Sequence, residues 1–109
     1  MTRPLRPVGR LVWLHISDGL RAEPITVLAD QLKQDHNLQV LVTGTATAHL
    51  SDDAPADTPA DVAQFLAYWS PDVIVLTGGE MRPALMICAQ TLGLPVLLVD
   101  AVMPFVRRG

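Results

Sequence analysis

Four short apolar runs recur along the chain: RLVWLHI (residues 10–16), LQVLVT (38–43), DVIVLT (72–77) and PVLLVD (95–100). Each is rich in Val, Leu and Ile, and none alternates apolar with polar positions. That is how strands covered on both faces read. Between the first two runs lies AEPITVLADQLKQDH. Pro24 fits a first helical turn, where its missing N–H is no loss, and Ile25, Leu28 and Leu32 fall on one helical face.

The helix between the second and third runs is the most fully specified. Thr58 suits an N-cap, Pro59 the first helical position, and Asp61 the helix N-terminus. Val62, Phe65, Leu66 and Trp69 follow at i, i+3, i+4 and i+7, and Pro71 ends the run. At this spacing Phe65 and Trp69 read as core rather than as a ligand platform. A third helix starts near Pro83, places Leu85, Cys88 and Leu92 on one face, and stops at Gly93. Cys88 reads as a small apolar filler, having no basic neighbour to activate its thiol.

Strand and helix alternating at this spacing predict a parallel sheet, because parallel neighbours need a crossover and crossovers are right-handed. The expected fold is α/β: a small Rossmann-like three-layer domain over residues 1–109. Its sheet has about four strands in the order 2-1-3-4, with helices on both faces. Residues 44–57, GTATAHLSDDAPAD, form the one long irregular and acidic segment. It is expected to be mobile, and either functional or the scar of a lost element.

Composition narrows the function. Half of the 109 residues are apolar and only 17% are charged, a surplus that suggests apolar surface meant for a partner. The formal net charge of −3 argues against nucleic acid and against a polybasic membrane surface. A single cysteine excludes an internal disulfide, and no metal-ligand spacing of His and Cys occurs. No stretch reaches the roughly 18 apolar residues of a membrane span. The basic opening MTRPLRPVGR has no apolar run fit for a signal peptide. The reading is a soluble cytoplasmic domain, with no cofactor or metal expected.

Ligands of open parallel sheets bind beyond the carboxyl ends of the strands, where the strand order reverses. Four clusters fall there: Ser17-Asp18-Gly19, Thr43-Gly44-Thr45, Thr77-Gly78-Gly79-Glu80, and Asp100. Glycine lets a backbone approach a ligand, and the helix N-terminus behind Gly78-Gly79 suits an anion, although Glu80 would compete with it. The same residue types are also what strand-to-helix turns need. Asp18 and Glu80 are the rim carboxylates open to acid–base work. Neither nucleotide-binding glycine fingerprint is present, and His15, His36 and His49 suggest no Ser-His-Asp arrangement.

The order of the pieces resembles a known family. WLHISDGLRAEP, LVTGTAT, DTPADVAQFLAYWSPDVIVLTGGEMRPALM and LGLPVLLVDA, running from about Leu11 to Ala101, are similar to the N-terminal, acceptor-binding half of the 3-deoxy-D-manno-octulosonic acid (Kdo) transferases. Family members carry W-[IL]-H-A-x-S-x-G-E, a Thr-rich strand end, P-L-D-T-P, F-L-x-x-W-x-P-D, E-x-E-L-W-P-N and I-P-x-x-L-x-N-A-R. Retained here are Trp13, His15, Gly19, Asp57-Thr58-Pro59, Phe65-Leu66, Trp69, Pro71-Asp72, Glu80 and Pro83. The resemblance implies transfer of Kdo from CMP-Kdo to lipid A, in enzymes several times longer with a second, donor-binding domain.

The departures fall where chemistry would be. Leu20 follows Gly19 where the family has its proposed catalytic Glu, and leucine takes no proton. Gly78 replaces the first Glu of E-x-E-L-W-P-N, Arg82 its Trp and Ala84 its Asn, and Val102 stands for the Arg of N-A-R. The segment before Asp57 is shortened, apparently by a helix and a strand. The resemblance therefore implies a lipid A or sugar-phosphate acceptor domain that is not catalytic alone. Its binding residues would be Ser17, Asp18, Gly19, Thr43, Thr45, Gly78, Gly79, Glu80 and Arg82, with Arg82 placed to reach a lipid A phosphate. It would work with a donor-domain partner or as a homodimer, at the inner face of the inner membrane through that partner. The alternative, raised by the apolar surplus, is a protein-interaction module or homo-oligomeric domain without its own ligand.

Overall fold

The computed structural model describes residues 4–16, 23–44, 50–77 and 82–99. The chain order is β1 (Leu11–His15), α1 (Glu23–His36), β2 (Gln39–Thr43), α2 (Pro59–Trp69), β3 (Val73–Thr77), α3 (Pro83–Leu92) and β4 (Val96–Val99). The four strands form one parallel sheet in the order β2-β1-β3-β4, as the alternating pattern predicts.

Side-chain alternation along the strands sorts the core into two layers. Leu11 and Trp13 of β1, Leu41 of β2, and Ile74 and Leu76 of β3 face α2 and α3, meeting Val62, Phe65, Leu66, Trp69, Leu85 and Ala89. The intervening Val12, Leu14, Val40, Val42 and Val75, with Ile16 just past β1, pack on Ala29 and Leu32 of α1. Trp13 and Phe65 stack with ring centroids 4.4 Å apart, and Trp69 continues the aromatic row at 6.4 Å from Phe65. Phe65 and Trp69 are core, as their spacing implies.

The caps follow the sequence signals. Thr58 accepts from the Asp61 N–H with Pro59 in the first turn of α2, and Gly93 closes α3 in the left-handed conformation at φ 74°. Ser70 ends α2, also left-handed, with its N–H bonded to the Leu66 carbonyl.

Three expectations need correcting. In α3 the buried positions are Leu85 and Ala89, whereas Leu92 is 61% exposed. Leu92 is the last residue of α3. The irregular segment is also firmly held from residue 50 onward. Val42 N–H donates to the Leu50 carbonyl and Asp52 N–H to the Val42 carbonyl, making a one-residue parallel bridge between Ser51 and β2. Leu50 packs on the α2 side of the core, and the Trp69 indole donates to the Asp52 carboxylate at 3.0 Å. The segment is thus tied to the β2 edge by a single bridge, and its Asp52 serves a buried indole.

Lastly, β4 reads as covered on both faces but is not. Leu97 and Leu98, pointing to opposite faces, are 53% and 58% exposed. Nothing among the described residues pairs beyond β4, and α1 packs against the β2 side of the sheet.

The parallel registers pair His15 with Thr43 and with Leu76, and Thr77 with Val99, so all four strands end along one rim. Gly44 turns β2 away from that rim. Its φ is 95°, and a Cβ there would come 1.9 Å from the Ile16 carbonyl oxygen. Gly44→Ala is therefore expected to cost more than about 3 kcal/mol, combining left-handed strain with a backbone clash. Chemical denaturation measures it, and a loss under 1 kcal/mol would contradict this geometry.

Candidate functional site

Below the rim lies a buried polar knot. The Trp13 indole N–H donates to Thr43 Oγ1 at 2.8 Å, and His15 Nδ1 meets the same oxygen at 2.8 Å. The direction of the second bond depends on the imidazole tautomer. The Thr77 hydroxyl donates to the His15 carbonyl at 2.9 Å. His15, Thr43 and Thr77 are each 3% exposed or less. Trp13 and His15 share a sheet face because they are two apart on β1, and register brings Thr43 opposite His15. The knot ties the ends of β1, β2 and β3 together beneath the rim.

Beside the knot, α3 begins with its N-terminus already occupied. The two carboxylate oxygens of Asp57 accept separately from the Ala84 and Leu85 N–H groups, at 3.2 and 3.1 Å. The side chain of Arg82, the N-cap residue, makes no cap bond; instead its Nη1 donates to the Pro55 carbonyl at 2.8 Å. Residues 55–57 and the start of α3 therefore clamp each other. A carboxylate held by these amides takes the place in which a helix N-terminus would hold a phosphate.

Of the residues expected at the rim, Thr43 lies buried beneath it and Arg82 is half-buried beside it. Ser17, Asp18, Gly19, Leu20, Thr45, Gly78, Gly79, Glu80 and Asp100 lie outside the described residues. The strands that lead into them end side by side. Sequence reasoning missed the joint work of Asp57 and Thr58, adjacent residues that cap two different helices, α3 and α2. It also missed the Trp13–Thr43–His15 knot, whose one readable sign was an indole and an imidazole two apart on a strand. Among the described residues no three His, Cys, Asp or Glu side chains gather as metal ligands.

The sequence that builds this frame matches a known family. The family model described as 3-deoxy-D-manno-octulosonic-acid transferase (kdotransferase) aligns with residues 2–104. This chain belongs to the Kdo transferase family. Among curated relatives, a probable mitochondrial 3-deoxy-D-manno-octulosonic acid transferase of Arabidopsis thaliana is 31% identical over 112 residues, covering 89% of this chain. The chain spans 25% of that relative's length. It is thus a glycosyltransferase-related domain, and the retained Asp57-Thr58-Pro59 trio has a physical role in it, as the junction joining α2 to α3.

Removing that junction is directly testable. Asp57→Ala leaves two amides at the α3 N-terminus without their carboxylate, an expected loss of about 1–2 kcal/mol. Asp57→Asn, keeping one acceptor, should lose about half as much. Equal stability of wild type and Asp57→Ala in urea unfolding would remove the clamp from the account.

Proposed function

We propose that this chain is the acceptor-side domain of a Kdo-type glycosyltransferase, a single domain over residues 1–109 that binds a lipid A-type acceptor and does not transfer sugar alone. The observation that carries the reading is the family match over residues 2–104 combined with Leu20 at the family's catalytic Glu position. In this reading the acceptor sits above the aligned strand ends. Ser17, Asp18, Gly19, Thr45, Gly78, Gly79 and Glu80 line the ledge, and Thr43 supports it from below. Arg82, anchored to the Pro55 carbonyl at the start of α3, brings a fixed positive charge to the acceptor phosphate.

Loss of a general base typically costs 10²–10⁴-fold in rate. Incubating the chain with CMP-Kdo and a lipid A precursor should therefore give no mass shift of the acceptor, while the phosphorylated disaccharide raises the melting temperature. Arg82→Ala should shrink that rise. Sugar transfer by the chain alone would overturn the inactivity, and an unshifted melting temperature would remove the acceptor.

A second reading, a domain that needs another polypeptide across its open edge, is favoured by one specific observation. From Pro83 to Val99 the chain carries no charged residue, yet Leu97 and Leu98 are more than half exposed on an edge strand. Natural edge strands are usually guarded by charge, proline or a bulge. A second copy pairing through β4 answers this with no like-charge repulsion. Light scattering is expected to show a dimer that Leu98→Lys returns to monomer; a wild-type monomer at 100 µM (on the order of typical assay concentrations) would exclude self-pairing.

A further inference from the structure

A concavity among the described residues lies away from the rim. It is a groove of about 590 Å³ between α2 and α3, within the roughly 300–1,000 Å³ of small-molecule sites. Leu66 and Ala67 of α2 and Ile87 and Cys88 of α3 line it. Pro71 and Leu94, which precede β3 and β4, close its end, so the groove belongs to the edge where the strands start. A five-residue strand, about 16 Å at ~3.3 Å per residue, separates it from the rim.

Two features decide what fits there. No charged residue lines the groove, and its only two hydroxyls are both turned back on their own helices. The Ser70 hydroxyl donates to the Ala67 carbonyl at 3.4 Å, and that of Thr91 to the Ile87 carbonyl at 3.0 Å. A sugar, a nucleotide or an extended peptide would leave its polar groups dehydrated and unpaired there, at a cost of about 1–3 kcal/mol each. A methylene chain loses nothing and gains about 0.8 kcal/mol for each buried CH₂.

The second feature is charge. Arg6 lies across the C-terminal end of α2, its Nε donating to the Trp69 carbonyl and its Nη2 to the carbonyl of Ser70, a groove residue, while its Nη1 donates to the carbonyls of Pro7 and Gly9. The four carbonyls fix the guanidinium in place, and an anionic head at this end of the groove meets its positive charge.

We propose that the α2–α3 groove binds the tail of a single-chain anionic amphiphile of the fatty-acid class, taken up as a monomer, with its head beside Arg6. The site is separate from the strand-end rim and does not rest on the acceptor reading. Calorimetric titration with dodecanoate below its micelle concentration tests it, with dodecyl maltoside as the neutral-headed comparison.

One saturable site for dodecanoate is expected, with affinity several-fold above that of the maltoside and a margin that narrows as salt is raised. Ala67→Trp and Ala63→Phe fill the groove from exposed positions that the fold does not need, and each should weaken binding at least tenfold while the melting curve stays intact. The absence of saturable binding overturns the proposal, as does unchanged affinity in both variants. Equal affinity for the two head groups removes Arg6 from it. Binding to anionic vesicles without binding of the monomer overturns the monomeric mode.

Discussion

The indole of Trp13 joins three parts of the molecule at once. Its ring lies against Phe65 and so fastens β1 to α2, while its N–H reaches Thr43 and fastens β1 to β2. Trp13 is fully buried, so that N–H has no water to turn to; without the Thr43 hydroxyl it would stand as an unpaired donor costing about 1–3 kcal/mol. The ring therefore constrains both the helix layer and the register at the strand ends. His15, meeting the same hydroxyl, is drawn into that constraint.

The acidic segment before α2 illustrates how a charge count misleads when the partners are out of sight. Asp52 answers the Trp69 indole, and Asp57 answers two amides of α3. Both carboxylates accept hydrogen bonds from donors that folding would otherwise strand. With Ser51 bridged to Val42, residues 50–57 close the β2 edge in the place of a longer element.

The two ends of the parallel sheet carry different chemistry. At the carboxyl ends, strands finish in register over a polar knot, with a clamped helix start beside them. At the starting edge, α2 and α3 leave an aliphatic groove between them next to a fixed guanidinium. The separation follows from parallel topology: every strand points the same way, so loop residues of one kind gather at one end and helix C-termini at the other.

The fold was legible in the residues because its signals are local. Non-alternating Val/Leu/Ile runs, Thr58-Pro59 ahead of Val62, Phe65, Leu66 and Trp69, and Gly93 after α3 each specify an element through a few neighbours, and crossover handedness leaves little choice of strand order. Three things were decided only by the tertiary structure. Asp57 caps a helix that begins 26 residues later, and Asp52 finds Trp69 across 17 residues. Trp13 and His15 converge on Thr43, 30 and 28 residues on. Exposure of Leu92, Leu97 and Leu98 likewise reflects what lies beyond their elements, not what they are made of. Apolar periodicity records which residues avoid water, whereas the partner of a buried donor and the cover of an edge strand depend on chain segments remote in sequence, and no local pattern encodes them.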